Sequence, residues 1–199
     1  MVGLDRGRVS ARWFRDGLRR SPREHAELDP PVSKAGDGDV GADLAALSAR
    51  GLMMLSAAAH DELRARGVIR TSNATGDYAE NLFAKAFGWQ LERNSNAGFD
   101  ALHDGTRFQV KCRRITPRNP SRQLGEFGNL EKARFDILAA VLFQSDFSIL
   151  RAALVPFDVV RLRSTIVLDR SRFYLRDPIW DEPGVHDVTA DLKRVEETL

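Results

Sequence analysis

Hydrophobic positions change period near residue 88. From Ala42 to Arg66, Leu44, Leu47, Leu52, Leu55 and Leu63 recur at helical spacing, and Gly67 closes the run. A second helix is predicted from about Asp77 to Gly88, burying Ala79, Leu82, Phe83, Ala86 and Phe87. Beyond it the period shortens to two, and "WQLER", "FDALHD", "TRFQVKCRRI", "FDILAAVLF" and "FSILRAALV" read as strands. The third and fourth are separated by "TPRNPSRQLGEFGNLEKAR", a polar connection that reads as a loop with a short helix. "PFDVVRLR" opens a helix with Pro156 at its first position. "TIVLDRSRFYLRD" reads as a short extended piece, and "VTADLKRVEE" as a closing helix capped by Thr189. This order predicts an α/β protein, an α+β sandwich in which a mixed central sheet is flanked by helices.

Residues 1–42 stand apart from that pattern. Arg6, Arg8, Arg12, Arg15, Arg19, Arg20 and Arg23 precede the proline- and glycine-rich "DPPVSKAGDGDVG". The segment is expected to be a basic, flexible extension, in which Trp13 and Phe14 could anchor a short helix. Residues 43–199 are expected to form a single domain.

The most specific local signal is "GFDALHDGTRFQVKCRR", residues 98–114. Asp104-Gly105 is a two-residue hairpin turn, and centring on it pairs His103 with Thr106, Leu102 with Arg107, Ala101 with Phe108 and Asp100 with Gln109. Alternation then puts Phe99, Ala101, Phe108, Val110 and Cys112 on one face, and Asp100, Gln109, Lys111 and Arg113 on the other. The polar face admits two readings. It is either the wet side of a half-exposed hairpin or a site. Glu80, on the preceding helix beside Phe83, Ala84 and Phe87, is likewise either the far end of an Asp77-x-x-Glu80 capping box or a carboxylate aimed at the sheet. If the four converge, two carboxylates and an amide carbonyl suit a hard cation such as Mg²⁺, with Mn²⁺ as a substitute. A lysine beside them could orient water or meet charge building on a phosphate.

Composition narrows the classes without choosing among them. Thirty Lys and Arg against 28 Asp and Glu leave a net charge of +2 in 199 residues, so any case for nucleic acid rests on where the arginines cluster. Cys112 is the only cysteine, which excludes an intrachain disulfide and argues against a cysteine–zinc site. It is expected in the core as a small hydrophobe. His25, His60, His103 and His186 show no metal-ligand spacing. The apolar run Phe135 to Phe143 is too short to span a bilayer, so no membrane is expected and the cytoplasm is the default location.

"GDYAENLFAKAFG" followed by "NSNAGFDALHDGTRFQVKCRR" resembles the PD-(D/E)XK, or restriction-endonuclease-like, nuclease superfamily. Within it, "GDYAE", "QVK" and "TPRNPSRQL" look most like segments of an uncharacterised bacterial family built on that core. The resemblance covers roughly Leu47 to Leu192. It implies a restriction-endonuclease-like core, with Glu80 as the helix acid, Asp100 as the metal-binding strand acid and Lys111 as the catalytic lysine. Gln109 stands where the common pattern has Asp or Glu, making this a Gln-x-Lys variant like the Mrr-type nucleases. It would complete a metal set of Glu80, Asp100 and Gln109 with one negative charge fewer. Phe99 replaces the eponymous proline.

The residues around this motif suit a phosphate-rich partner. Arg113 and Arg114 follow the lysine, and Arg118, Arg122 and Gln123 lie in the polar connection. Arginines grip phosphates, and glutamine can read base edges. The function that these residues and the resemblance imply is a Mg²⁺-dependent endonuclease hydrolysing phosphodiester bonds in DNA. Many nucleases of that type pair as a homodimer to cut both strands, but the sequence marks no dimer surface. The alternatives are a non-catalytic nucleic-acid-binding domain of the same fold, or a component of a larger defence or toxin system.

Overall fold

A computed structural model describes residues 44–92, 98–127, 130–167 and 170–199. The expected N-terminal extension therefore lies outside the described residues. The first helix, α1 (Ala49–Ala65), follows a single 3₁₀ turn at Leu44–Ala46 and is capped by the Ser48 side chain, which accepts from the Gly51 N–H at 3.1 Å. It ends as expected, with Arg66 at the cap and Gly67 at φ +68°. None of its residues is buried. The leucine period marks a helix here without marking a core.

Helix α2 (Ala74–Phe87) begins three residues before the expected start. Its cap is Asn73, and Asp77 lies inside the first turn, 5% exposed. The Asp77 carboxylate accepts the backbone N–H groups of Arg70, at 2.7 Å, and of Thr71. The capping box is thereby overturned: Asp77 ties down the preceding loop, and Glu80 is left for other work.

Strands β1 (Gln90–Leu91), β2 (Ala101–His103), β3 (Thr106–Arg114), β4 (Ile137–Phe143), β5 (Ile149–Pro156) and β8 (His186–Asp187) form one sheet in the order β1-β2-β3-β4-β5-β8. Only β3 and β4 run parallel. A 3₁₀ turn at Leu130–Lys132 lies in the crossover between them, where a short helix was expected. Every residue of β4 is buried, as an apolar strand covered on both faces must be. Helix α3 (Phe157–Arg163) follows Pro156, which is the last residue of β5 and the helix cap rather than its first position. Strands β6 (Thr165–Val167) and β7 (Arg170–Arg172) make a separate hairpin. Helix α4 (Thr189–Glu196) closes the described chain. Thr189 is its first residue, not its cap: the hydroxyl accepts from the Ala152 N–H at 2.9 Å and pins the helix to β5.

Apolar side chains cover the sheet from both sides. On one side Leu82 and Phe83 of α2 and Leu192 of α4 meet Phe108, Val110, Ala139, Val141 and Leu154. On the other, Leu138, Ala140 and Leu142 face Leu124, Phe173, Leu175 and Val160 of α3. The described residues thus make a mixed α/β fold, a six-stranded mixed sheet with four α-helices. Among the described residues no helix is long and apolar enough to cross a membrane.

Candidate active site

The β2–β3 hairpin places the first three side chains. Asp104 (φ +47°) and Gly105 (φ +76°) make the turn, and Ala101, Leu102 and His103 pair with Phe108, Arg107 and Thr106 as the spacing predicts. Asp100 lies one residue before β2, where its N–H still donates to Phe108 O at 2.8 Å. Its carboxylate accepts the Val110 N–H at 2.7 Å and the Gln109 side-chain amide. Asp100 and Gln109 therefore meet, as the parity requires. In register with β4, Gln109, Lys111 and Arg113 pair with Leu138, Ala140 and Leu142, and so share that face of the sheet. Phe99 departs from the expected sorting and packs in the cluster around Leu138. Gly98, at φ +112°, breaks the alternation just before it.

Glu80 reaches the same place from α2. It lines one open cleft of about 490 Å³ together with Asp100, Gln109, Lys111, Arg113 and Arg114. The first turn of α2 contributes Asn73, Thr75 and Gly76 to the rim. Arg70, which no period or motif marks, pairs with Glu80 and donates to Glu92 O at 3.0 Å. Burial and the nearby Asp100 carboxylate push the Glu80 carboxyl up to about 7 despite Arg70. Burial also raises Asp100, against the Val110 N–H, Lys111 and Arg70. Burial raises both carboxyls and the Asp100 charge raises Glu80 further, so a cation held by the two would offset that cost.

Lys111 is positioned by the 125–127 strip. Its ammonium stands 5.6 Å from the Phe127 ring centroid, and Gly125 passes beside its stem. Cys112 points to the opposite side, donates to Thr75 O and has its thiol pushed up to about 11 by burial, so it is no nucleophile at neutral pH. Asp136 accepts both the Arg107 N–H, at 3.0 Å, and its guanidinium, at 2.7 Å, which is a structural duty.

The remaining candidates divide. Arg113 bonds Gln123 O through Nε at 2.5 Å and stays at the cleft. Arg114 lines the cleft but lays its guanidinium on Ser145 O and over Phe147, 4.1 Å from the ring centroid. Arg118 is exposed in a turn closed by Thr116 and Asn119, outside the cleft lining. Arg122 pairs with Asp177 at 2.8 Å, and Gln123 accepts the Tyr174 hydroxyl at 3.0 Å. Neither lines the cleft. Among the described residues no group of three or more His, Cys, Asp and Glu side chains could hold a metal ion. Any cation here would rest on two carboxylates and an amide. No family model matches the chain, and no curated protein matches it.

Proposed function

We propose that this chain is a metal-dependent endonuclease of the restriction-endonuclease-like type, hydrolysing phosphodiester bonds in DNA. The observation that carries the proposal is the common cleft of a helix acid, a strand acid and a Gln-x-Lys pair, Glu80, Asp100, Gln109 and Lys111. The donor set fits Mg²⁺, which takes one or two carboxylates and keeps several waters. Glu80 and Asp100 would hold the ion, with the Gln109 carbonyl oxygen as a neutral third group. When bound, such an ion polarises the phosphoryl group and makes its water more acidic.

The chain's own residues do the rest. Gln109 donates its amide to Asp100 and so fixes the carboxylate that the Val110 N–H already holds. Lys111, close enough to Asp100 to be felt electrostatically, orients the attacking water or meets charge on the phosphate. Arg113, anchored by one nitrogen to Gln123 O, presents the rest of its fork to the strand beside the scissile bond.

One observation favours a second reading, a binding domain that does not cut: Glu80 is already paired with Arg70. Cleavage of plasmid and linear duplex with Mg²⁺ or Mn²⁺ separates the two. Lys111→Ala should lose roughly a hundred-fold or more in cleavage while keeping most of its DNA affinity. Calorimetric titration with Mn²⁺ should show binding that Asp100→Ala abolishes. Tight duplex binding by a wild type that cuts neither DNA nor RNA would leave the binding domain standing.

A further inference from the structure

A second concavity, of about 360 Å³, lies outside the cleft, lined by Arg163, Thr165, Tyr174, Arg176, Pro178 and Ile179. Nothing in the sequence pattern marks it, because its residues come from the end of α3, from β6, and from the stretch after β7 that runs into a 3₁₀ turn at Asp177–Asp181. Phe173 and Leu175 point into the core, so alternation turns Tyr174 and the exposed Arg176 outward. The Arg176 guanidinium lies 4.3 Å from the Tyr174 ring centroid, a cation–π contact. Arg163 is paired with Glu182. Arg176 has no carboxylate partner among the described residues.

Gln123 bonds a lining residue of each concavity. The Gln123 carbonyl accepts Arg113 from the cleft, and the Gln123 side chain accepts the Tyr174 hydroxyl at 3.0 Å. Gln123 and Tyr174 are bridge partners, flanked by the Leu124 N–H to Phe173 O and Leu175 N–H to Arg122 O bonds, 3.0 and 3.1 Å. Arg113 and Tyr174 therefore both contact one residue, which puts the two concavities on neighbouring parts of the surface.

We infer that the Tyr174–Arg176 pocket is a phosphate subsite that holds the nucleic-acid backbone beside the cleft. The inference rests on the nuclease reading and adds to it a contact on a separate part of the chain. An arginine already resting against an aromatic ring, with no carboxylate partner among the described residues, loses little freedom when it meets a phosphate in fork geometry. Gln123 is then a strut: it couples the position of Arg113 to that of Tyr174 and reads no base.

The test is the salt dependence of binding by the full chain to a fluorescently labelled duplex. Arg176→Ala should reduce the slope of log affinity against log salt by about 0.9, the amount one lost phosphate contact releases. Its deficit in affinity should be largest at low salt. Arg176→Lys should restore most of the slope, since charge and not the fork sets counter-ion release. Arg194→Ala, on α4 across the sheet, should leave the slope unchanged. Wild-type slope and affinity in Arg176→Ala, with duplex bound and cut normally, would overturn the subsite and leave the nuclease reading intact. A wild type that binds no nucleic acid would overturn both.

Discussion

Glu80 is the residue on which burial, repulsion and pairing all act. Its carboxyl is raised from 4.5 to about 7 by burial and Asp100, against the pull of Arg70. Between those two pH values the folded chain keeps a proton that the unfolded chain has lost. The stability tied to the proton is complete below about pH 4.5 and disappears as pH rises through about 7. Glu80→Gln, which never ionises, should therefore gain in melting temperature relative to wild type as pH climbs from 4.5 to 8. A gain that shrinks over that window would mean that the Arg70 pair outweighs burial. Arg70 itself could not have been read from the sequence. It sits in a short interhelical loop without period, and only the turn held by Asp77 brings it to Glu80. Asp100, Gln109 and Lys111 were legible, because one hairpin turn fixes the parity of all three.

At the level of elements, turn chemistry was a better guide than caps. The Asp104-Gly105 register agrees at all three strand pairs because both residues take positive φ, as a tight turn between twisted strands demands. Gly105→Ala should then cost roughly 1–2 kcal/mol, the penalty for a Cβ in the left-handed region, read as a lower urea midpoint with unchanged slope. Among the described residues nothing lies within 4 Å of the added carbon, so the loss would be conformational rather than steric. The caps misled for a different reason. Asp77, Pro156 and Thr189 all have residue types favoured near helix starts, but tertiary partners claimed two of them: the Arg70–Thr71 backbone for Asp77, and Ala152 for Thr189. A side chain's preference for a helix start does not say which backbone N–H it will find.

Over the whole molecule, the same sequence signal gives opposite outcomes in α1 and α2. Both carry apolar residues at helical spacing, yet Leu82 and Phe83 of α2 are fully buried while Leu52 and Leu55 of α1 are 40% and 46% exposed. The difference is position. Helix α2 lies over β3 with Phe108 and Val110 beneath it, whereas α1 contributes nothing to either apolar cluster among the described residues. Periodicity reports that a helix has an apolar side, and the sheet decides which helix it covers. The energetic consequence is a sharp contrast between two like substitutions. Leu82→Ala empties a site packed on every side and should cost about 2–5 kcal/mol, the usual range for a buried leucine. Leu52→Ala removes a side chain that already meets water and should change stability by no more than about 0.5 kcal/mol. Urea unfolding of both variants in the full-length chain measures this directly. A loss of 2 kcal/mol or more at Leu52 would mean that α1 is covered in solution, by residues outside those described or by a second copy of the chain. Those two cases separate on dilution, since only a second copy makes the midpoint depend on protein concentration.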